Sequence, residues 1–344
     1  MRSLDRHHCR AMINNPPIEI SVPDLAPYRT GTDGIPYVVR LESGNPGPHA
    51  VITALVHGNE LSGAWALLAV LQQGVKPKRG RLSLVFVNVH ALKRFNPRQP
   101  KASRYLDHDF NRLWDKKRLD GMERSRELDR ARELRPLIEE ADWLLDLHSM
   151  QHAAEPLLLS GVAEKGQQLA RAMGYPRLIV ADAGHHNGAR MRDYGAFADS
   201  GRPETAMLVE CGQHWARASI DIAITSCRQF LAALDLVDQA ALDRLGRAPK
   251  PVPQQLIEVT DAMTVKSGPF RFSRSVRGLD VIPKAGTVIA FDGDQPVATP
   301  YDNCVLIMPS QRLTRGLTAV RLGRFVDHAA HAEGGVRVGG SAWS

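Results

Sequence analysis

His57, Gly58, Asn59 and Glu60 set an imidazole and a carboxylate in the order H-x-x-E. They follow the apolar run Ala50 to Val56 and precede the helix-like run Leu61 to Gln73. At a strand-to-helix turn two such side chains can converge on one metal ion. A third ligand candidate, His148, ends a second apolar run, Trp143 to Leu147. Two imidazoles and one carboxylate form a borderline-soft donor set that suits a catalytic zinc, with a fourth position left to water. The expectation is a zinc hydrolase with one Zn2+ per chain, held by His57, Glu60 and His148.

Each of these residues also has a plainer reading. His57 and Glu60 could belong to a surface turn in which the carboxylate favours a helix N-terminus, and His148 could be a satisfied core histidine. Three further features shift the balance towards a metal. Asp146 stands two residues before His148, on the same side of a strand, where a carboxylate can orient a ligand imidazole. Arg104 and Arg112 bracket the polar segment Arg104-Tyr105-Leu106-Asp107-His108-Asp109-Phe110-Asn111-Arg112. A guanidinium there suits a carboxylate, and a second can stabilise an oxyanion, although Arg112 could simply pair with Asp109. Glu210, in Val209-Glu210-Cys211-Gly212, ends a strand and would serve as general base to a metal-activated water. Its plainer use is an ion pair with an arginine.

The order H-G-N-E, R-Y-x-D-x-D-x-N-R, D-L-H and E-x-G resembles the succinylglutamate desuccinylase/aspartoacylase family, a branch of the zinc carboxypeptidase fold. The resemblance spans roughly Ala50 to Val237 and, more weakly, the C-terminal part. It implies that His57, Glu60 and His148 are the zinc ligands. Glu210 would activate the water and later protonate the leaving amine, and Arg104 would polarise the scissile carbonyl. Asn111 and Arg112 would hold a substrate carboxylate. Arg192, or its neighbour Arg190, would add a carboxylate contact, and Tyr301 would match a tyrosine that the C-terminal domain sends towards substrate. The chain departs from better-known members around Gly184 to Asp199, where His185, His186 and Asn187 cluster. His185 and His186 are read as loop residues rather than a second metal site, because adjacent histidines rarely chelate together.

The elements that must position these groups alternate between short β-rich runs and longer amphipathic ones. Strands are expected at Tyr37–Leu41, Val51–Val56, Leu82–Asn88, Leu144–Leu147, Leu157–Ser160, Leu178–Val180 and Met207–Glu210. Helices are expected at Ser62–Gln73, Arg124–Ala141, Ala163–Met173 and Ala216–Val237. That alternation predicts an α/β fold, a mixed parallel/antiparallel sheet flanked by helices. The proline-rich stretch at 246–254 reads as a linker. Short Val/Ile/Phe/Thr runs between turn residues follow it and predict a smaller all-β domain. The expected organisation is a disordered N-terminus at 1–17, a catalytic α/β domain at 18–245, the linker, a β-rich domain at 255–327 and a flexible tail at 328–344.

The chain of 344 residues, 43% of them apolar, can bury a sizeable core. No run is long enough to span a membrane, and the charged N-terminus lacks an apolar signal core. The four cysteines are scattered without metal-knuckle spacing, as expected of free thiols in a cytoplasmic protein. The net charge is +7, and much of the excess lies between Lys93 and Arg135. Glu123, Glu127, Asp129, Glu133, Glu139 and Glu140 interleave with those arginines, so the segment reads as a solvated helix rather than a nucleic-acid surface. The expected partner is a small anionic N-acyl amino acid, with no nucleic acid and no membrane. Whether the chain forms a homo-oligomer, as many soluble enzymes do, is left open. Two other readings compete with an N-acyl amino acid amidohydrolase. One is a metallocarboxypeptidase acting on small peptides, and the other is a metal-loaded binding protein without catalysis.

Overall fold

A computed structural model describes residues 16–184, 187–311 and 313–326. The expected disordered N-terminus to residue 15, the His185-His186 pair and the tail from 327 lie outside the described residues. In chain order the first half contains β1 (Val38–Glu42), β2 (His49–Ala54), α1 (Leu61–Gln72), β3 (Arg81–Phe86), α2 (Val89–Leu92), α3 (Lys116–Asp120) and α4 (Arg126–Glu139). There follow β4 (Trp143–Met150), β5 (Leu157–Leu159), α5 (Glu164–Met173), β6 (Leu178–Ala181), β7 (Thr205–Gln213), α6 (Ala218–Ala233) and α7 (Gln239–Arg244). The remainder is β: β8 (Gln255–Thr264), β9 (Phe270–Phe272), β10 (Val281–Ile282), β11 (Val288–Asp292), β12 (Gln295–Ala298), β13 (Cys304–Ile307) and β14 (Thr318–Val326).

Eleven strands form one sheet in the order β1-β3-β2-β4-β7-β5-β6-β8-β14-β13-β10. The central neighbours β3, β2, β4 and β7 run parallel, while β1 pairs antiparallel with β3, and β5 pairs antiparallel with β7 and parallel with β6. Every residue of β2 and of β7 is buried. Strands covered on both faces need near-continuous apolar runs, which is why Ala50 to Val56 is so legible. One apolar layer contains Leu67 and Val70 of α1 with Phe230 and Leu231 of α6. The layer on the opposite face contains Leu128, Leu134 and Leu137 of α4. The fold is the mixed, helix-flanked sheet that the alternation predicts.

Beyond the proline-rich stretch, β8 pairs parallel with β6, and β14, β13 and β10 continue the sheet in antiparallel fashion. The C-terminal β region therefore shares the main sheet, and a separate three-stranded sheet, β12-β11-β9, stands beside it.

Three charged residues of α4 depart from the solvated-helix reading. Ser125 caps this helix, its hydroxyl accepting from Leu128 N. Two positions on, the Glu127 carboxylate is 1% exposed and accepts from the backbone N–H groups of Leu106, Asp107 and His108 and from Asn88 Nδ2. It anchors the loop that carries Arg104 to Arg112. Arg130 and Arg132 likewise turn inward and donate to backbone carbonyls, Val87 O, Phe86 O and Pro36 O for the first and Leu119 O, Arg118 O and Gly121 O for the second.

Candidate metal centre and its cavity

His57 and Glu60 occupy the turn between β2 and α1. Leu55, just past the strand, holds a left-handed φ of 62°, a conformation that costs a branched residue of order 1 kcal/mol and is kept where the surroundings enforce it. Gly58 is required by close approach: a Cβ there would lie 2.4 Å from Leu92 N and 2.6 Å from Ser103 O. Its N–H donates to Arg104 O at 3.0 Å, which brings the arginine loop beside the turn. Glu60 stands at the N-cap position of α1, yet its side chain makes no capping bond. The helix-capping reading therefore does not hold. The carboxylate turns instead to His57 Nδ1 at 2.8 Å, His148 Nδ1 at 2.9 Å, Arg104 Nη1 at 3.1 Å and the Ser149 N–H at 3.1 Å.

β4 runs three residues beyond the expected end, so Asp146 and His148 are both within the strand. Their alternation places them on one side, and His148 Nε2 lies 2.9 Å from Asp146 Oδ2. Thr53 on the neighbouring strand donates to Asp146 Oδ1 at 2.7 Å and fixes that carboxylate. His57 Nε2 has an equivalent partner in Asp109 Oδ1 at 3.0 Å. Each imidazole thus turns Nδ1 towards Glu60 and Nε2 towards a second carboxylate.

His57, Glu60 and His148 are all buried, and one ligand atom from each lies within 4.8 Å of the others. Burial alone would raise the Glu60 pKa, but the two imidazoles outweigh it and hold the carboxyl well below its usual range. Burial would likewise lower His148, yet Asp146 and Glu60 hold it well above the usual imidazole value. Three carboxylates, Glu60, Asp109 and Asp146, face two imidazoles and the Arg104 guanidinium. Once ligation removes any imidazole proton, two negative charges are left in excess, which a divalent cation would balance. The donor set, its charge and its outer hydrogen bonds all fit a zinc ion. Replacing Asp146 with Asn is therefore expected to weaken zinc binding about 10- to 100-fold, as read by competition with a chromophoric chelator. Unchanged affinity would remove Asp146 from the orienting role.

The cluster opens on a cavity of about 900 Å3. Glu210 lines it from β7, in register with His148 of β4. Neither carboxylate oxygen of Glu210 bonds to a described residue, and Oε2 is enclosed. Burial first, then the charge of Glu60, pushes its pKa up to about 8. Arg104 lines the cavity too, with Nε and Nη2 at 3.4 Å from Asp109 Oδ2. Asn111 reaches His148 Nε2 at 3.5 Å and accepts from the Met191 N–H at 3.1 Å. Burial, and beyond it Arg104, Arg190 and Arg321, outweigh Asp109 and bring Arg112 down to about 10.

Two expected site residues are not brought to the cavity. Arg192 is buried elsewhere, with Nη2 donating to Ser160 O at 2.9 Å and Ala206 O at 3.2 Å and Nη1 to Asp193. Its neighbour Arg190 lines the cavity instead, paired with Asp182 and Asp193. One residue sits among backbone carbonyls and the other at the wall, a choice that spacing leaves open. Tyr301 is absent from the described lining. Its hydroxyl is 2.5 Å from Thr260 Oγ1, and Arg324 lies over its ring at 4.7 Å. Cys211, next to Glu210, is fully buried, and burial pushes its thiol well above the ordinary range.

Sequence reasoning missed Asn59, Asp182, His214 and Arg321, all on the cavity wall, and the bond from Asp109 to His57. Asn59 lies inside the H-G-N-E motif and His214 lies one residue beyond the strand of Glu210, so position alone could have flagged both. Arg321 comes from β14, far along the chain, and carries no local signal.

Residues 46–223, just over half of the chain, match the family model described as the succinylglutamate desuccinylase/aspartoacylase catalytic domain. Among solved structures, succinylglutamate desuccinylase from Vibrio parahaemolyticus is similar, with 18% identity, 85% of this chain and 87% of that chain covered, and a TM-score of 0.62. The succinylglutamate desuccinylase from Chromobacterium violaceum has 17% identity, coverage of 86% and 90%, and a TM-score of 0.60. A product-bound ectoine utilization protein, EutE (DoeB), from Ruegeria pomeroyi has 17% identity, coverage of 84% and 88%, and a TM-score of 0.58. At these identities the likeness establishes a shared fold.

Proposed function

The chain belongs to the succinylglutamate desuccinylase/aspartoacylase family, and from that premise we propose that it is a zinc-dependent deacylase releasing an amino acid from a small N-acyl amino acid. The observation that carries this reading is the Glu210 carboxylate, buried and without a hydrogen-bond partner among the described residues, at the wall of the cavity that holds the His57-Glu60-His148 cluster. An enclosed carboxylate with no hydrogen-bond partner is costly for the fold, and a raised pKa near the working pH suits a general base.

His57, Glu60 and His148 would hold the zinc. When bound, the ion would supply Lewis-acid polarisation of the carbonyl and a lowered pKa for water. The remaining work falls to this chain's own side chains. Glu210 takes a proton from the attacking water as the new C–O bond forms. It returns that proton to the amide nitrogen as the C–N bond breaks, giving a carboxylic acid and a free amine. Arg104 donates to the developing oxyanion, and its bonds to Glu60 and Asp109 keep the guanidinium in place. Arg112 and Asn111 would hold the carboxylate of the amino acid, with Arg190 and Arg321 adding positive charge at that end.

In this reading the α/β part before the proline-rich stretch carries the reaction and the β-rich part beyond it closes the cavity. Phe272, Val276, Met308 and Arg321 on the wall support that division of labour. A cavity walled in this way suits a small substrate better than a peptide, which favours the deacylase over the carboxypeptidase. The experiment is mass spectrometry of the zinc-loaded protein with N-acyl amino acids and short peptides. Release of one free amino acid from an N-acyl derivative is the expected result, whereas stepwise release of C-terminal residues from peptides would contradict it.

Arg112→Ala is expected to raise KM about 10- to 100-fold with a smaller effect on kcat, because a charge-assisted carboxylate contact is made in ground and transition states alike. Steady-state kinetics that leave KM unaltered would take Arg112 out of the site.

A further inference from the structure

The cavity has one corner built from uncharged donors that the reaction above does not use. Asn59 and His214 both line it, and both are at least 96% buried. His214 Nδ1 lies 2.9 Å from Ser149 Oγ. With the hydroxyl as donor, the arrangement that gives its proton an acceptor among the described residues, the ring hydrogen sits on Nε2. Nε2 bonds to no described residue and is not enclosed, which leaves it open to the cavity. Burial brings the His214 pKa down to about 3, with Arg104, His57 and His148 adding to the fall against Glu60. The ring is therefore neutral at working pH.

Asn59 is built in a similar way. Its Oδ1 is enclosed without a partner, while Nδ2 is neither bonded to a described residue nor enclosed. Trp215 ties the two residues together. Its Nε1 donates to Asn59 O at 3.1 Å, and its ring lies 5.6 Å from that of His214. The charges acting foremost on His214 are Glu60 and Arg104, whereas Arg112 feels Asp109, Arg104, Arg190 and Arg321. The neutral corner and the arginine end are chemically distinct parts of one cavity.

We propose that Asn59 and His214 form a subsite for an uncharged oxygen on the substrate's acyl group, a hydroxyl or amide carbonyl rather than a carboxylate. The proposal rests on the deacylase reading, in which the arginines take the carboxylate of the amino acid. Buried neutral donors reward a neutral acceptor, whereas a carboxylate placed there would be desolvated beside Glu60, the foremost charge acting on His214. An acyl group lacking that oxygen would leave the donors unsatisfied.

The test compares N-glycolyl, N-acetyl and N-succinyl derivatives of the same amino acids. It reads kcat/KM by amino-acid release from the zinc-loaded protein, and Kd by calorimetry on zinc-loaded Glu210→Gln. N-glycolyl derivatives are expected to be favoured over both others by about tenfold or more. His214→Leu should collapse the glycolyl-to-acetyl ratio towards one, and His214→Gln, which keeps a donor, should retain most of it. A wild-type ratio near one, a preference for succinyl, or an equal loss on all three substrates in His214→Leu would overturn the subsite. A glycolyl preference in Kd without turnover would uphold the subsite and refute the deacylase. Absence of binding by any derivative would overturn both.

Discussion

Glu210→Gln is expected to lower kcat by about 10²- to 10⁴-fold, the range for loss of a positioned general base, while zinc stays bound. The substitution keeps the shape of the side chain and removes only its ability to take a proton. A structural role would instead lower Tm, whereas among the described residues the carboxylate has no hydrogen-bond partner to lose. Its pKa is raised from an ordinary 4.5 to about 8 by burial and by Glu60. In the metal-free protein, a folded-state pKa above the unfolded one means the carboxylate stabilises the fold least at high pH. Stability falls as pH rises from about 4.5 and through 8. Glu210→Gln should remove that fall and leave Tm unchanged or higher at pH 8. Steady-state kinetics, metal analysis and a thermal scan check the three parts together. Retained activity, or a clear loss of Tm, would refute the assignment.

Arg104→Met is expected to lower kcat by about 10²- to 10³-fold, the usual cost of removing one oxyanion donor. Arg104 sits between Glu60 and Asp109, and these two carboxylates more than offset its burial and hold its pKa above the ordinary value. It is therefore a permanent, oriented positive charge that needs no rearrangement when charge develops on the substrate. Arg104→Lys should recover little, because an ammonium cannot reach Glu60 and Asp109 in one planar fork. Metal content measured beside kcat separates the roles. A variant that loses zinc and activity in parallel would make Arg104 a support of the metal ligands rather than a contact to the substrate.

Much of the frame was legible in the chain because buried parallel strands leave a strong mark. Ala50 to Val56 and Trp143 to Leu147 are continuous apolar runs, and the groups expected to converge stand at their ends. Convergence of His57, Glu60 and His148 could be read because strands lying side by side in one sheet deliver their ends to the same edge. The small period-two step from Asp146 to His148 also held, giving a 2.9 Å contact.

Other features depend on information that no local window contains. Glu127 stands at helical spacing among surface charges, yet it is buried because the backbone of 106–108 needs an acceptor, and that loop is distant in sequence. Arg190 and Arg192 are the same residue type two positions apart. Which one reaches the cavity is decided by Asp182 on one side and the carbonyls of Ser160 and Ala206 on the other. Tyr301 fits a motif by position, but Thr260 and Arg324 hold it away from the cavity. The break in composition at 246–254 gives no hint that β8 returns to pair with β6. Strand order is a long-range property, and proline content reports only on local backbone freedom.

The most direct test of the central claim is a zinc titration of protein stripped with a chelator, followed by hydrolysis of an N-acyl amino acid found active in the substrate panel. The account predicts no turnover without metal, a linear rise in rate that breaks at one equivalent of zinc per chain, and no rise in His148→Ala at the same zinc concentrations. Full turnover by the stripped protein, or recovery in His148→Ala equal to wild type, would contradict it.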